Sequence, residues 1–270
     1  MPSGALLLVL TAATLHALWN VLVAGAPDIE AATAVALAVG VVVFAPVAAA
    51  TWRVDGDAIP YIAVSAVLEA VYFGLLVAAY RRADLSLVYP LTRGLAPVFV
   101  LLASVVLLGI ATSAGEVVGV AVVAVGIVLV RGVGGRGDGW TLGLIVAIAA
   151  TIAGYTLVDR YGVRHASPLP YLELVLAVPA AIYAVRIGRR RLRAALTPRS
   201  ASAGLASFGA YVLVLLALRL ASAASVAAVR ESSIVIAVGL AAILLREPVG
   251  KRRFVGAAMV AIGVAVIALA

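Results

Sequence analysis

The chain has 270 residues, of which 65% are hydrophobic and 12% charged, with a net charge of +8, no cysteine and two histidines; its mean hydropathy is +1.21. Roughly half of a soluble domain is apolar, so this composition excludes a soluble fold and points to an all-α integral membrane protein. Without Cys there is no disulfide framework, thiolate metal site or cysteine nucleophile; no metal or other cofactor is expected, and the basic excess is assigned to loops between spans, not to nucleic acid.

A span needs about 20 apolar residues to cross roughly 30 Å of hydrocarbon. Ten such segments are read at 4–24, 31–51, 58–80, 85–108, 115–131, 139–158, 168–187, 202–218, 222–245 and 252–269. They are expected as helices, because a helix satisfies its own backbone in lipid and the runs lack the alternation of membrane strands. The first is read as a span and not as a signal peptide, since no basic stretch precedes it. The breaks carry Gly, Pro or charge, including DRYGVRHASP at 159–168 and the arginine-rich stretch 188–201.

Along the spans, polar residues collect at particular faces. Span one carries His16, Trp19 and Asn20, three and four residues apart and so on one helix face; either they line a cavity or they tie and pack neighbouring helices. In span three Tyr72 lies three residues after Glu69, and in span four Tyr89 lies four before Arg93. Pro90 and Pro97 flank Arg93 and each removes a backbone hydrogen bond, which is expected to loosen the helix there. Tyr155 in span six and Tyr211 in span eight are deep and are cavity candidates, whereas Tyr61, Tyr80, Tyr161, Tyr171 and Tyr183 are expected at the interfaces. Span nine holds Arg230 and Glu231. An arginine at bilayer depth costs about 2.5–3.5 kcal/mol, so such residues mark functional sites by default. Glu69, Arg93, Arg230 and Glu231 sum to zero charge, as a shared internal cavity permits; the alternative is a pair of fixed ties, Glu69 to Arg93 and Glu231 to Arg230 or another group.

The chain also repeats itself. An offset of 137 places Arg93 on Arg230, Leu107 on Leu244, Gly119 on Gly256 and Gly126 on Gly263. Spans one to five therefore correspond to six to ten, in units bounded at 1–134 and 135–270. A five-span unit used twice must enter the membrane in opposite senses, so the expected architecture is ten transmembrane helices as two five-helix inverted-topology repeats, with a site at their interface near mid-membrane. The pairs Gly119/Gly126 and Gly256/Gly263 each lie on one face and allow close helix contact, within the chain or in a homodimer. Lys and Arg number 14 in the loops after odd-numbered spans and four in the others, leaving out Arg93 and Arg230, which by the positive-inside rule places both termini outside.

HALWN at 16–20, YPLTRGLAPVF at 89–99 and ESSIVIAVGLAAILLREPVG at 231–250 together resemble the EamA-type transporters of the drug/metabolite transporter superfamily. The resemblance covers the whole chain. It implies a ten-helix inverted repeat with a cavity lined by spans one, three, four, six, eight and nine, and alternating access to the two membrane faces. It also implies cytoplasmic termini, against the charge count. The Leu-Gly-Glu often found after span four reads Leu108-Gly109-Ile110 here, while Glu247 follows Arg246 in the second half.

The function expected is secondary transport of a small polar organic solute, amino acid-like or bearing a carboxylate or phosphonate, across the inner membrane, with proton coupling or exchange. The two arginines would attract the anionic group; Glu69 or Glu231 would bind an amine or carry a proton. No nucleotide-binding signature and no protease or prenyltransferase motif is present, so an enzyme is not expected. A flippase for a lipid-linked head group and an exporter of organic cations are the alternatives.

Overall fold

The computed structural model describes residues 1–24, 26–80, 82, 85–131, 138–236 and 250–270. The chain forms helices α1 (Ser3–Ala24), α2 (Ile29–Ala50), α3 (Ile59–Tyr80), α4 (Leu85–Val106), α5 (Ala114–Arg131), α6 (Gly139–Gly162), α7 (Pro168–Ile187), α8 (Arg189–Ala195), α9 (Pro198–Leu218), α10 (Ala223–Arg230) and α11 (Lys251–Leu269). A further helical stretch runs over 232–236, and among the described residues there is no β-strand. Among the described residues six helical segments are long and apolar enough to span a membrane, and Leu91–Val106, Ala114–Leu129 and Phe254–Leu269 are shorter apolar ones. Apolar side chains cover much of the exterior: Val42 is 70% exposed and Val185 is 84% exposed, which only a hydrocarbon surround makes favourable.

Short polar side chains start these helices by accepting from backbone N–H groups left without intrahelical partners. Asp28 accepts from Ala31 N at 3.0 Å, Asp138 from Thr141 N at 2.8 Å, and Thr197 forms a capping box with Ser200 before Pro198. Two expected boundaries differ. The stretch 188–201 is not a loop throughout: Gly188, at φ 78°, turns the chain out of α7, after which the helix-forming Arg, Leu and Ala of α8 make two turns. Arg191 of α8 then donates to both oxygens of Asp28, each at 2.9 Å, and this hydrogen bonding holds the Asp28 carboxyl below its ordinary range. The ninth span is not continuous either. α10 ends at Arg230, Glu231 occupies a turn, and residues 237–249, with Arg246 and Glu247, lie outside the described ones. α4, by contrast, runs unbroken through Pro90 and Pro97.

Helix contacts come in exchanged pairs. Under the 137-residue offset α1 corresponds to α6, α2 to α7, α3 to α9, α4 to α10 and α5 to α11. The packing of α1 on α9 matches that of α6 on α3; the packing of α4 on α6 matches that of α10 on α1; α2–α7 and α5–α11 map onto themselves. The expected glycine faces meet in the last of these. A Cβ added to Gly126 would lie 2.8 Å from the Gly256 carbonyl oxygen, and one added to Gly263 would lie 2.8 Å from that of Gly119.

Gly126→Ala should therefore push α5 off α11, at a cost of about 1–3 kcal/mol as in other overpacked contacts, and lower the melting temperature of the purified protein. Gly74→Ala, where nothing lies within 4 Å, is the control and should not. Equal melting of the two variants would contradict this packing.

Candidate functional site

Ser65, Glu69 and Tyr72 are spaced four and three apart, so they form one polar stripe on α3. The stripe faces α6 and α9. There Asp159, in the last turn of α6 and 1% exposed, gathers three hydroxyls: Ser65 Oγ donates to its Oδ1 at 2.6 Å, Tyr171 Oη to the same oxygen at 2.9 Å, and Tyr211 Oη to Oδ2 at 2.6 Å. The Tyr211 oxygen is also 3.2 Å from Glu69 Oε1. Glu69 is itself buried, and the rings of Tyr72, Tyr155 and Tyr211 meet in succession edge to face, with centroids 6.2 Å apart at each step.

A second centre joins the halves. Arg93 Nε on α4 donates to Glu231 Oε2 at 2.9 Å, and Arg93 Nη2 lies 2.9 Å from Oε1. The break after Arg230 lets Glu231 face Arg93 while Arg230, one residue earlier, reaches elsewhere. Arg230 Nε is 3.9 Å from Glu231 and has no hydrogen-bond partner among the described residues.

Between these centres lies a cavity of about 110 Å³. His16 and Trp19 of α1, Glu69 and Tyr72 of α3, Arg93, Tyr155, Tyr211 and Arg230 line it, together with Thr33, Ala36 and Leu37 of α2 and Leu176 of α7. Trp19 Nε1 donates to His16 Nδ1 at 3.1 Å; an accepting Nδ1 carries no proton, so His16 is the neutral tautomer with its hydrogen on Nε2. One end of the helix assembly is tied shut by its loops. Ser167 N donates to Arg53 O at 2.7 Å, Asp55 N to His165 O at 2.9 Å, and Arg219 to the carbonyls of Val163 and Ala166 at 2.7 and 2.6 Å.

The structure thus brings eight of the expected residues to one cavity. Of the other three, Asn20 turns back on its own helix, its amide donating to the His16 carbonyl at 2.6 Å; Glu231 sits behind Arg93; and the Tyr89 side chain lies outside the described ones. The expected pairing is corrected, since Arg93 pairs with Glu231 across the halves and not with Glu69. α2 and α7 also contribute to the wall. Sequence reasoning left Asp159 in a loop and put Tyr171 at the interface, yet both are buried and bonded to each other. The signal for Asp159 was its position four residues after Tyr155, which extends the polar face of the sixth span by one turn. Tyr171 carried no such signal.

Removing one member of a buried ion pair costs about 3–5 kcal/mol, because the other charge is left unmatched. Arg93→Met and Glu231→Gln should each destabilise the protein to that extent in a denaturation series. The double variant should lose clearly less than the sum; strictly additive losses would show that the two side chains are not paired.

The fold has solved counterparts. One crystal structure superposes with a TM-score of 0.78 over 100% of this chain and 98% of its own, at 17% identity, a likeness that speaks for the fold alone. No curated protein matches the sequence. The sequence matches the EamA-like transporter family twice, over residues 3–132 and 139–269, so that the match covers both halves and every element that lines the cavity. With its apolar spans, doubled unit and charged interior, the chain belongs to the EamA-like transporter family, within the drug/metabolite transporter superfamily, and is a multi-pass membrane protein.

Proposed function

We propose that this chain is a secondary transporter of a small zwitterionic or anionic organic solute, amino acid-like or bearing a carboxylate or phosphonate, working by alternating access in the inner membrane. Ten spans in two units, divided near residue 134 and inserted in opposite senses, would build it; the exchanged helix contacts support that topology. The observation that carries the substrate class is Arg230. The charge of Arg93 is matched by Glu231, whereas Arg230 lines the cavity with an unbonded Nε. A guanidinium held in a buried cavity attracts a carboxylate or phosphonate strongly and binds it through paired donors. Glu69 on the facing wall suits a solute ammonium. The small cavity volume, below the several hundred Å³ usual for drug-sized ligands, supports a compact solute. His16 and Trp19 would shape the wall. A proton gradient or exchange of solutes would supply the energy.

Purified protein should be stabilised against heat by some amino acids, carboxylates or phosphonates, and by about 2.7 kcal/mol where the solute stands at 100 times its dissociation constant. Arg230→Ala should abolish the effect while still folding. Stabilisation by organic cations or lipid head groups alone, or an equal response of the variant, would overturn the substrate class and move the site to Glu69, His16 and Trp19.

A further inference from the structure

The buried charges do not balance as they stand. Among the described residues Glu69, Asp159 and Glu231 are acids, and Arg93 and Arg230 are their only buried cationic counterparts. His16 adds no charge in the tautomer its bond to Trp19 requires. With every acid ionised the interior would hold one negative charge in excess, in a region where an unmatched ion costs several kcal/mol. One acid must carry a proton, and hydrogen-bond geometry selects which. Glu231 is the partner of Arg93. Asp159 takes three hydroxyl donors, two of them at 2.6 Å, the distance of charge-assisted O–H···O⁻ bonds. Among the described residues Glu69 has only the Tyr211 oxygen, at 3.2 Å, and the single hydrogen of that hydroxyl is committed to Asp159.

We propose that Glu69 is the proton-binding site of this chain. It stands as a neutral carboxylic acid whose hydrogen is donated to the Tyr211 oxygen, and Asp159 is the fixed anion that completes the chain Glu69–Tyr211–Asp159. Ser65 and Tyr171 hold the charge on Asp159, so the mobile proton is confined to the acid that borders the cavity. The groups facing Glu69 from neighbouring elements are Asp159 and Tyr155 of α6, Tyr211 of α9 and Arg230 of α10; Arg93 of α4 and His16 of α1 share its cavity. When the Glu69 O–H bond breaks, the proton passes to cavity water and the interior gains one negative charge. A solute ammonium restores the balance. On the transport reading above, proton and solute ammonium therefore occupy Glu69 in turn, and the exchange balances for a solute that carries one net positive charge, because a carboxylate brought to Arg230 by a zwitterion would return the excess.

Infrared spectroscopy of the purified full chain at neutral pH tests the proton directly. A protonated-carboxyl C=O band that shifts in D₂O is expected in the wild type, lost in Glu69→Gln, unmoved in Tyr171→Phe, which removes a donor to Asp159 alone, and moved in frequency in Tyr211→Phe. A band that survives in Glu69→Gln, moves in Tyr171→Phe or stays unmoved in Tyr211→Phe, or its absence from the wild type, would overturn the proposal. The two tyrosine variants keep the test decisive where Glu69→Gln does not fold. The band needs no solute, so a panel of amino acids, carboxylates and phosphonates that stabilises nothing while the band behaves as expected refutes the transport reading and leaves the proton site standing.

Discussion

A charge inside a hydrocarbon layer has no water to lean on, and the organisation of this molecule follows from that constraint. Arg93 and Glu231 are 138 positions apart, yet each needs the other, since either alone is an unmatched ion. Their pair ties α4 to the start of the ninth span and so pins the two halves together at the place where the cavity lies. Apolar packing surrounds the pair but does not specify it: α5 and α11 close on each other through glycines, α2 on α7 through small and branched side chains, and these contacts have little directional preference. The ion pair does.

The break between α10 and the helical stretch at 232–236 gives the site its asymmetry. On a continuous helix, neighbours point about 100° apart, so Arg230 and Glu231 cannot both be aimed at one point. With Glu231 in a turn, its carboxylate reaches Arg93 while Arg230 keeps its own course into the cavity. The sequence supports a break at this point, because Ser232 and Ser233 have side chains that compete with the helix ladder for backbone groups. The first half is built differently. α4 stays continuous through two prolines and presents Arg93 from an unbroken helix. Repeats that share an arginine at the same offset thus place it differently, one paired at close range with a carboxylate and one with its Nε unbonded beside the cavity.

Most of the helices were legible because span length and hydropathy are set by the bilayer and survive any detail of packing. The doubled unit and the Arg93/Arg230 correspondence were legible for a related reason, since charges in an apolar background stand out. What was not legible depends on three-dimensional closure. Nothing local says whether Arg93 takes Glu69 or Glu231 as its partner, and only the break at Glu231 decides it. Asp159 was missed because a charged Asp-Arg-Tyr run looks like the end of a span, whereas the helix continues to Gly162 and keeps one polar turn inside. Tyr171 was misplaced because position along a helix was taken as depth, and its ring is drawn inward by the carboxylate it serves. Charge balance would have pointed the same way: the four acids and arginines first chosen sum to zero and leave no acid to carry a proton, and the fifth residue changes that sum.

The cavity and the tied loops also bear on how access could alternate. The bonds at the closed end run between the α2–α3, α6–α7 and α9–α10 connections, so they join elements from both halves. Each is worth about 0.5–1.5 kcal/mol net once water is allowed to replace it, and four of them amount to a few kcal/mol. That is the scale over which a bound solute shifts a two-state equilibrium. The other end is held differently, by the α8 guanidinium on Asp28 at the surface and by Arg199 on the carbonyls of Val21 and Leu22, while the cavity wall extends to Thr33, one turn from the start of α2. A solute bridging Arg230 and Glu69 would touch α10 and α3 at once. Those helices lead directly to the closing loops, α3 to residues 51–58 and α10 to Arg219. On the alternating-access reading proposed above, binding energy spent in drawing the two together would be applied at those loop contacts.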